Sequence, residues 1–126
     1  MTDRELYETA LKMTERAYAP FSNFKVGAAL LTTDGKVFTG VNVENSSLGG
    51  TICAERTAFL KRFQKESIAL KNRRSPNEGE AWPCGICRQF MKEFCDDFRI
   101  ITGNDADSLR VFTMAEILPE GFRLSR

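Results

Sequence analysis

The chain has 126 residues, enough for one domain spanning 1–126. Hydrophobic residues make up 42% of it, including ten Phe, so a packed core can form and disorder is excluded. Eighteen basic against seventeen acidic residues leave a net charge of +1, with no global pull toward nucleic acid or an anionic membrane. No apolar run approaches the roughly 20 residues of a membrane span. The charged start M-T-D-R-E-L-Y-E lacks the apolar core of a secretion signal, so the expected location is the cytosol.

Thr2-Asp3-Arg4-Glu5 offers a capping box, and Leu6, Ala10, Met13 and Ala17 recur at helical spacing. A first helix is expected from about Asp3 to Ala17, stopped by Pro20. Phe24 to Leu31 is strand-like, and the turn signal Asp34-Gly35 leads into a second strand, Val37 to Glu44. Asn45 to Gly50 reads as a loop. Helices are expected from Cys53 to Gln64 and, opened by Pro83-Cys84-Gly85, to about Phe94. Arg99–Thr102 and Leu109–Phe112 read as short strands. Thr113-Met114-Ala115-Glu116 is a second capping box, beginning a short last helix that Pro119 ends. The order suggests α/β layering around one sheet. Ile68 to Trp82 fits no element: K-N-R-R-S-P-N-E-G-E is read as a surface loop, the alternative being a basic binding loop around Lys71, Arg73 and Arg74.

Four cysteines without an export signal favour metal or redox chemistry over disulfides. Histidine is absent, so a metal must rely on thiolates and carboxylates, and a His-based triad is excluded. Cys84-Gly85-Ile86-Cys87 puts two sulfurs on one side of a helical turn, where one zinc ion touches both at about 2.3 Å. Cys53, 31 residues before Cys84, also stands at an expected helix start, whose partial positive charge favours thiolate. Three protein ligands leave a fourth tetrahedral position for water, as in catalytic zinc sites. Glu55, two residues after Cys53, is placed to carry protons to and from that water. The rival reading is a closed structural site with Cys95 as fourth ligand, but Cys95 lies about 12 Å along the helix axis from Cys87. Three thiolates outweigh a dipositive ion by one charge, so the neighbouring Arg56, and after it Arg88, are candidates to balance the centre.

The motifs Cys53-Ala54-Glu55-Arg56-Thr57-Ala58 and Pro83-Cys84-Gly85-Ile86-Cys87-Arg88-Gln89 closely resemble those of the small cytidine deaminases, and follow the three-cysteine form of the zinc-deaminase pattern. Tyr18 to Leu30 is similar to that family's first-strand motif. Asn42-Val43-Glu44-Asn45 resembles its ribose-binding motif, and Leu118 to Phe122 its C-terminal end. The similarity spans nearly the whole chain. It implies a three-layer sandwich, with a mixed sheet of about five strands between helices, and a homotetramer with active sites near subunit interfaces. It implies one Zn2+ per chain, Phe24 against the pyrimidine, and Asn42 and Glu44 on the ribose hydroxyls. Ala54 would give backbone contacts to the base, and Phe122 would reach toward a neighbouring subunit's site. The implied activity is hydrolytic deamination of cytidine or deoxycytidine in pyrimidine salvage.

The sequence departs from the family in two places. Leu48 stands where the family usually has an aromatic residue. The family's apolar third strand is replaced after Ile68 by polar sequence, so that strand is expected to be lost or abbreviated. The alternatives are deamination of another cytosine compound, blasticidin S-like or polynucleotide, or a non-catalytic zinc module. Asn42 and Glu44 favour a free nucleoside, and the near-neutral charge disfavours long nucleic acid.

Overall fold

The computed structural model describes residues 1–64, 70–76, 82–94 and 99–125, with 70–76 described as backbone. Helix α1 runs Asp3–Met13 and opens on the expected capping box: Thr2 Oγ1 accepts from the Glu5 N–H, and Glu5 accepts from the Thr2 N–H. It ends earlier than expected. Thr14–Arg16 tighten into a 3-10 turn, in which the Ala17 N–H reaches the Thr14 carbonyl. Tyr18 can then run extended beside Val43.

Strands β1 (Val26–Thr32) and β2 (Val37–Val41) form the expected hairpin, with Gly35 at φ 88 in its turn. Expected to reach Glu44, β2 stops at Val41: the Asn42 N–H still reaches the Val26 carbonyl, but the Asn42 carbonyl turns to the Tyr18 N–H and its side chain receives the Val26 N–H instead. Its Oδ1 accepts from the Val26 N–H, and its Nδ2 donates to the Phe24 carbonyl. Beyond it come helices α2 (Ala54–Phe63) and α3 (Gly85–Phe94), strands β3 (Leu70–Pro76), β4 (Arg99–Gly103) and β5 (Leu109–Thr113), and helix α4 (Met114–Ile117). The second capping box closes between Thr113 and Glu116.

Strand order in the sheet is β2-β1-β3-β4-β5, with only β3 and β4 parallel. The segment read as a surface loop is therefore corrected at 70–76: it lies centrally, antiparallel to β1 and parallel to β4. Its polar letters hid it because ladder hydrogen bonds use the backbone, which any residue except proline supplies at both N–H and C=O. Residues 68–69 and 77–81 of that reading lie outside the described residues.

Alternation along β1 sorts the layers. Val26, Ala28 and Leu30 pack with Ala54, Ala58 and Phe59 of α2, Met91 of α3, and Met114 and Ile117 of α4. Ala29 points the other way, joining Leu6 and Ala10 of α1 and Ile101 of β4. Burying each large apolar side chain in these clusters contributes roughly 1.5–3 kcal/mol. Among the described residues, no helix is long and apolar enough to cross a membrane.

Candidate metal centre and active site

Two helix starts meet at one point. Cys53 is the N-cap of α2 in extended conformation, and its carbonyl accepts the helix's opening hydrogen bond from Thr57. Cys84 stands before α3, its carbonyl accepting from the Arg88 N–H and its sulfur from the Cys87 N–H at 3.5 Å. The partial positive charge at the start of α2 favours thiolate at Cys53. The seat for α2 is unusually close: a Cβ on Gly40 of β2 would stand 2.2 Å from the Ala54 carbonyl oxygen and 2.6 Å from the Ala58 nitrogen. Thr57 Oγ1 lies 3.0 Å from the Val41 carbonyl and 3.2 Å from that of Cys53, tying the helix start to β2. Sequence reasoning passed over both Gly40 and Thr57. A glycine facing a helix start and a threonine four residues after an N-cap were the signals available.

The sulfurs of Cys53, Cys84 and Cys87 all lie within 4.8 Å of one another and could hold a metal ion. Cys53 Sγ and Cys84 Sγ are 3.8 Å apart, and none of the three cysteines is in a disulfide. Bonds of about 2.3 Å in a tetrahedron place sulfurs about 3.8 Å apart, so the donor set fits zinc. Cys95, the rival fourth ligand, lies outside the described residues.

The cluster is electrostatically uneven. Cys53 is pulled down from an ordinary 9.0 to about 5, first by the hydrogen bond from Cys87 and then by Arg56 and Cys84, against the opposing effect of burial. The shared hydrogen bond pushes Cys87 up, helped by burial and by the Glu55 carboxylate. Glu55 is completely buried in the first turn of α2, beside these sulfurs. Burying a carboxylate is costly unless its surroundings use it.

Arg56 reaches back from the same turn, donating to Cys53 Sγ at 3.5 Å and to the Thr51 carbonyl at 3.3 Å. Arg88 does not share this arrangement. Its Nε donates to the Pro83 carbonyl and its Nη1 to the Ile117 carbonyl, both at 2.8 Å, so it ties α3 to α4 rather than touching sulfur. Arg88, the second candidate after Arg56 for balancing the centre, is corrected to a tie between α3 and α4.

The remaining candidates line neighbouring segments. Val43 makes single bridges to Tyr18 on one side and Ile52 on the other, which lays the 42–44 segment beside the residue preceding Cys53. Asn42 is buried, Val43 exposed and Glu44 half-buried. Glu44 Oε1 accepts from the Phe21 and Ser22 N–H groups, and Oε2 from Ser22 Oγ. Hydrogen bonding, led by the Ser22 hydroxyl, holds the Glu44 carboxyl below its ordinary 4.5. Phe24 is 37% exposed, and Ala54 is buried. Phe122 is 61% exposed, with its carbonyl held by Gln89 Nε2. Leu48 is 74% exposed on a short 3-10 turn, Leu48–Gly50.

The family model described as the cytidine and deoxycytidylate deaminase zinc-binding region matches residues 1–103. The chain is 41% identical over 125 residues to a cytidine deaminase of Halalkalibacterium halodurans, covering 95% of this chain and 94% of that one. It is 39% identical over 125 residues to a cytidine deaminase of Sporosarcina psychrophila, covering 97% and 92%. The fold matches the crystal structure of cytidine deaminase from Burkholderia pseudomallei with a TM-score of 0.90 and 42% identity, over 97% of this chain and all of that one. With three converging cysteines and a buried glutamate between them, the chain belongs to the cytidine and deoxycytidylate deaminase zinc-binding family.

Proposed function

We propose that this protein hydrolyses cytidine or deoxycytidine to uridine or deoxyuridine and ammonia. The observation that carries this reading is Glu55, buried in the helix turn that follows one candidate ligand and electrostatically coupled to another, Cys87. Cys53, Cys84 and Cys87 would hold a zinc ion, which when bound would supply Lewis acidity that makes water a better nucleophile near neutral pH. Glu55, buried beside that cluster, would take a proton from the attacking water and deliver it to ring nitrogen 3 as oxygen bonds to carbon 4. It then carries the remaining hydroxyl proton to the departing amino group, so one water is consumed and one ammonia leaves. Arg56 offsets the negative charge of the three sulfurs through Cys53.

Recognition is assigned to Phe24 against the pyrimidine, the Ala54 backbone, and Asn42 and Glu44 on the ribose. Donor and acceptor capacity supports the last pair. Asn42 uses one amide N–H and one oxygen lone pair on Phe24 and Val26, which leaves one of each. Glu44 accepts three hydrogen bonds of about four it can take, leaving room on Oε2.

The five-stranded mixed sheet expected of the family is supported by the order β2-β1-β3-β4-β5, and a single domain by two clusters sharing that sheet. A homotetramer is proposed from the family resemblance, and an apolar groove of about 560 Å³ lined by Ile52, Leu60, Ile86 and Phe90 offers surface that such an assembly could cover. Exposed Phe63 and Phe122 add apolar surface for assembly. A cytosolic role in pyrimidine salvage fits the substrate. Ultraviolet absorbance tests the activity: cytidine is converted to uridine, conversion stops with chelator, and zinc restores it. Absence of conversion by the zinc-loaded protein contradicts the assignment.

A further inference from the structure

We propose that Ser22 is a positioning residue that makes ribose binding and placement of the base-facing Phe24 one coupled event; this rests on the cytidine reading above. The Ser22 hydroxyl donates to Glu44 Oε2 and accepts from the Phe24 N–H at 3.0 Å. Phe24 is also held on its other side, where its carbonyl accepts from Asn42 Nδ2 at 2.8 Å. Both residues assigned to the ribose therefore grip the backbone of Phe24, Asn42 directly and Glu44 through Ser22. Between Ser22 and Phe24 the chain turns through Asn23 at φ 58, a left-handed conformation that asparagine tolerates better than most residues. Without the hydroxyl the Phe24 N–H loses its partner in that turn.

The arrangement also orients Glu44. Its Oε1 is occupied by the Phe21 and Ser22 N–H groups, so the Ser22 hydroxyl sets which lone pair of Oε2 faces outward. A ribose hydroxyl donating to that lone pair meets a carboxylate already aimed, and aiming it in advance lowers the ordering cost of binding. A nucleoside lacking the hydroxyls gains nothing from this part of the site.

The test compares cytidine with 2′,3′-dideoxycytidine in zinc-loaded wild type, Ser22→Ala and Ser22→Thr. Loss of a hydrogen bond to a charged group predicts a rise in KM for cytidine of roughly tenfold in Ser22→Ala, with kcat within about twofold. The loss in kcat/KM on dideoxycytidine is expected to be at least about threefold smaller, since only Phe24 placement suffers there. Ser22→Thr, which keeps the hydroxyl, is expected to recover most of the preference for cytidine. Equal losses on both substrates, no loss on either, or a threonine variant no better than alanine would each overturn the role of Ser22. A wild type that turns over neither substrate overturns the cytidine reading itself, and this inference with it.

Discussion

Val43 and Ile52 exchange both of their backbone hydrogen bonds, at 2.9 and 3.0 Å. The pair sits between two halves of the site. Asn42 and Glu44 flank Val43, and Cys53 follows Ile52. The strand end assigned to the ribose and the helix start that offers a metal ligand are thus fixed against each other by main chain. On the proposed assignment, that geometry would present a nucleoside's sugar and reacting carbon to different groups at a fixed separation.

Replacing Gly40 by alanine tests how tightly the helix start is seated. The new methyl must displace the Ala54 carbonyl and the Ala58 nitrogen, both backbone. Forced overpacking of this kind costs roughly 1–3 kcal/mol. Zinc affinity should fall as well, because Cys53 moves with the turn. Gly49→Ala, where nothing lies within 4 Å, serves as the control and should leave both unchanged. Urea midpoints and zinc competition with a chromophoric chelator measure the two effects.

Asn42→Ala and Glu44→Ala should both raise KM for cytidine but separate in stability. The buried Asn42 side chain satisfies the Val26 N–H and the Phe24 carbonyl, and leaving such groups unpartnered costs about 1–3 kcal/mol. Glu44 lies nearer solvent, where water can replace it at the Phe21 and Ser22 amides. Denaturant midpoints should therefore fall more for Asn42→Ala. Equal midpoints would count against the structural half of Asn42's role.

Arg56→Ala should narrow the pH range over which the metal-free protein holds a thiolate at Cys53. A folded-state pKa lowered from 9.0 to about 5 contributes stability that is full above the ordinary value and is lost as pH falls through about 5. Removing one of the groups that lowers it moves that loss to higher pH, by part of the shift only, since the Cys87 hydrogen bond remains the larger cause. Thiolate absorbance near 240 nm should titrate with a higher midpoint. An unmoved midpoint would remove Arg56 from the electrostatics of the centre.

Much of this arrangement could be read from letters, for identifiable reasons. Cys53 and Cys84 each precede a helix, so their convergence follows from two local signals plus one sheet to bring them together. Thr2–Glu5 and Thr113–Glu116 are capping boxes whose partners lie three residues apart, and both close. Local chemistry is legible because it needs no knowledge of the fold. Strand β3 was legible only through the resemblance, as a third strand expected to be lost or abbreviated; its seven residues and its place between β1 and β4 depend on backbone edges that other segments provide. Arg88 was misjudged for a similar reason: sequence proximity to Cys87 said nothing of the Ile117 carbonyl, 29 residues away, that captures its guanidinium.

Zinc content distinguishes an open centre from a closed one. Cys53→Ser should lower bound zinc well below one ion per chain, whereas Cys95→Ser should leave it unchanged. Atomic absorption of the purified variants measures this. Metal loss on replacing Cys95 would support a fourth sulfur ligand and a structural site.

The central claim is that Glu55 carries protons and does not hold metal, and steady-state turnover by Glu55→Gln with its zinc content measured on the same sample tests it most directly. The amide keeps the shape of the side chain but cannot take a proton from water. General acid–base catalysis is worth about 10²–10⁴-fold, so kcat should fall by at least that range while one zinc per chain is retained. A variant that keeps zinc and more than roughly a tenth of wild-type kcat would contradict the account.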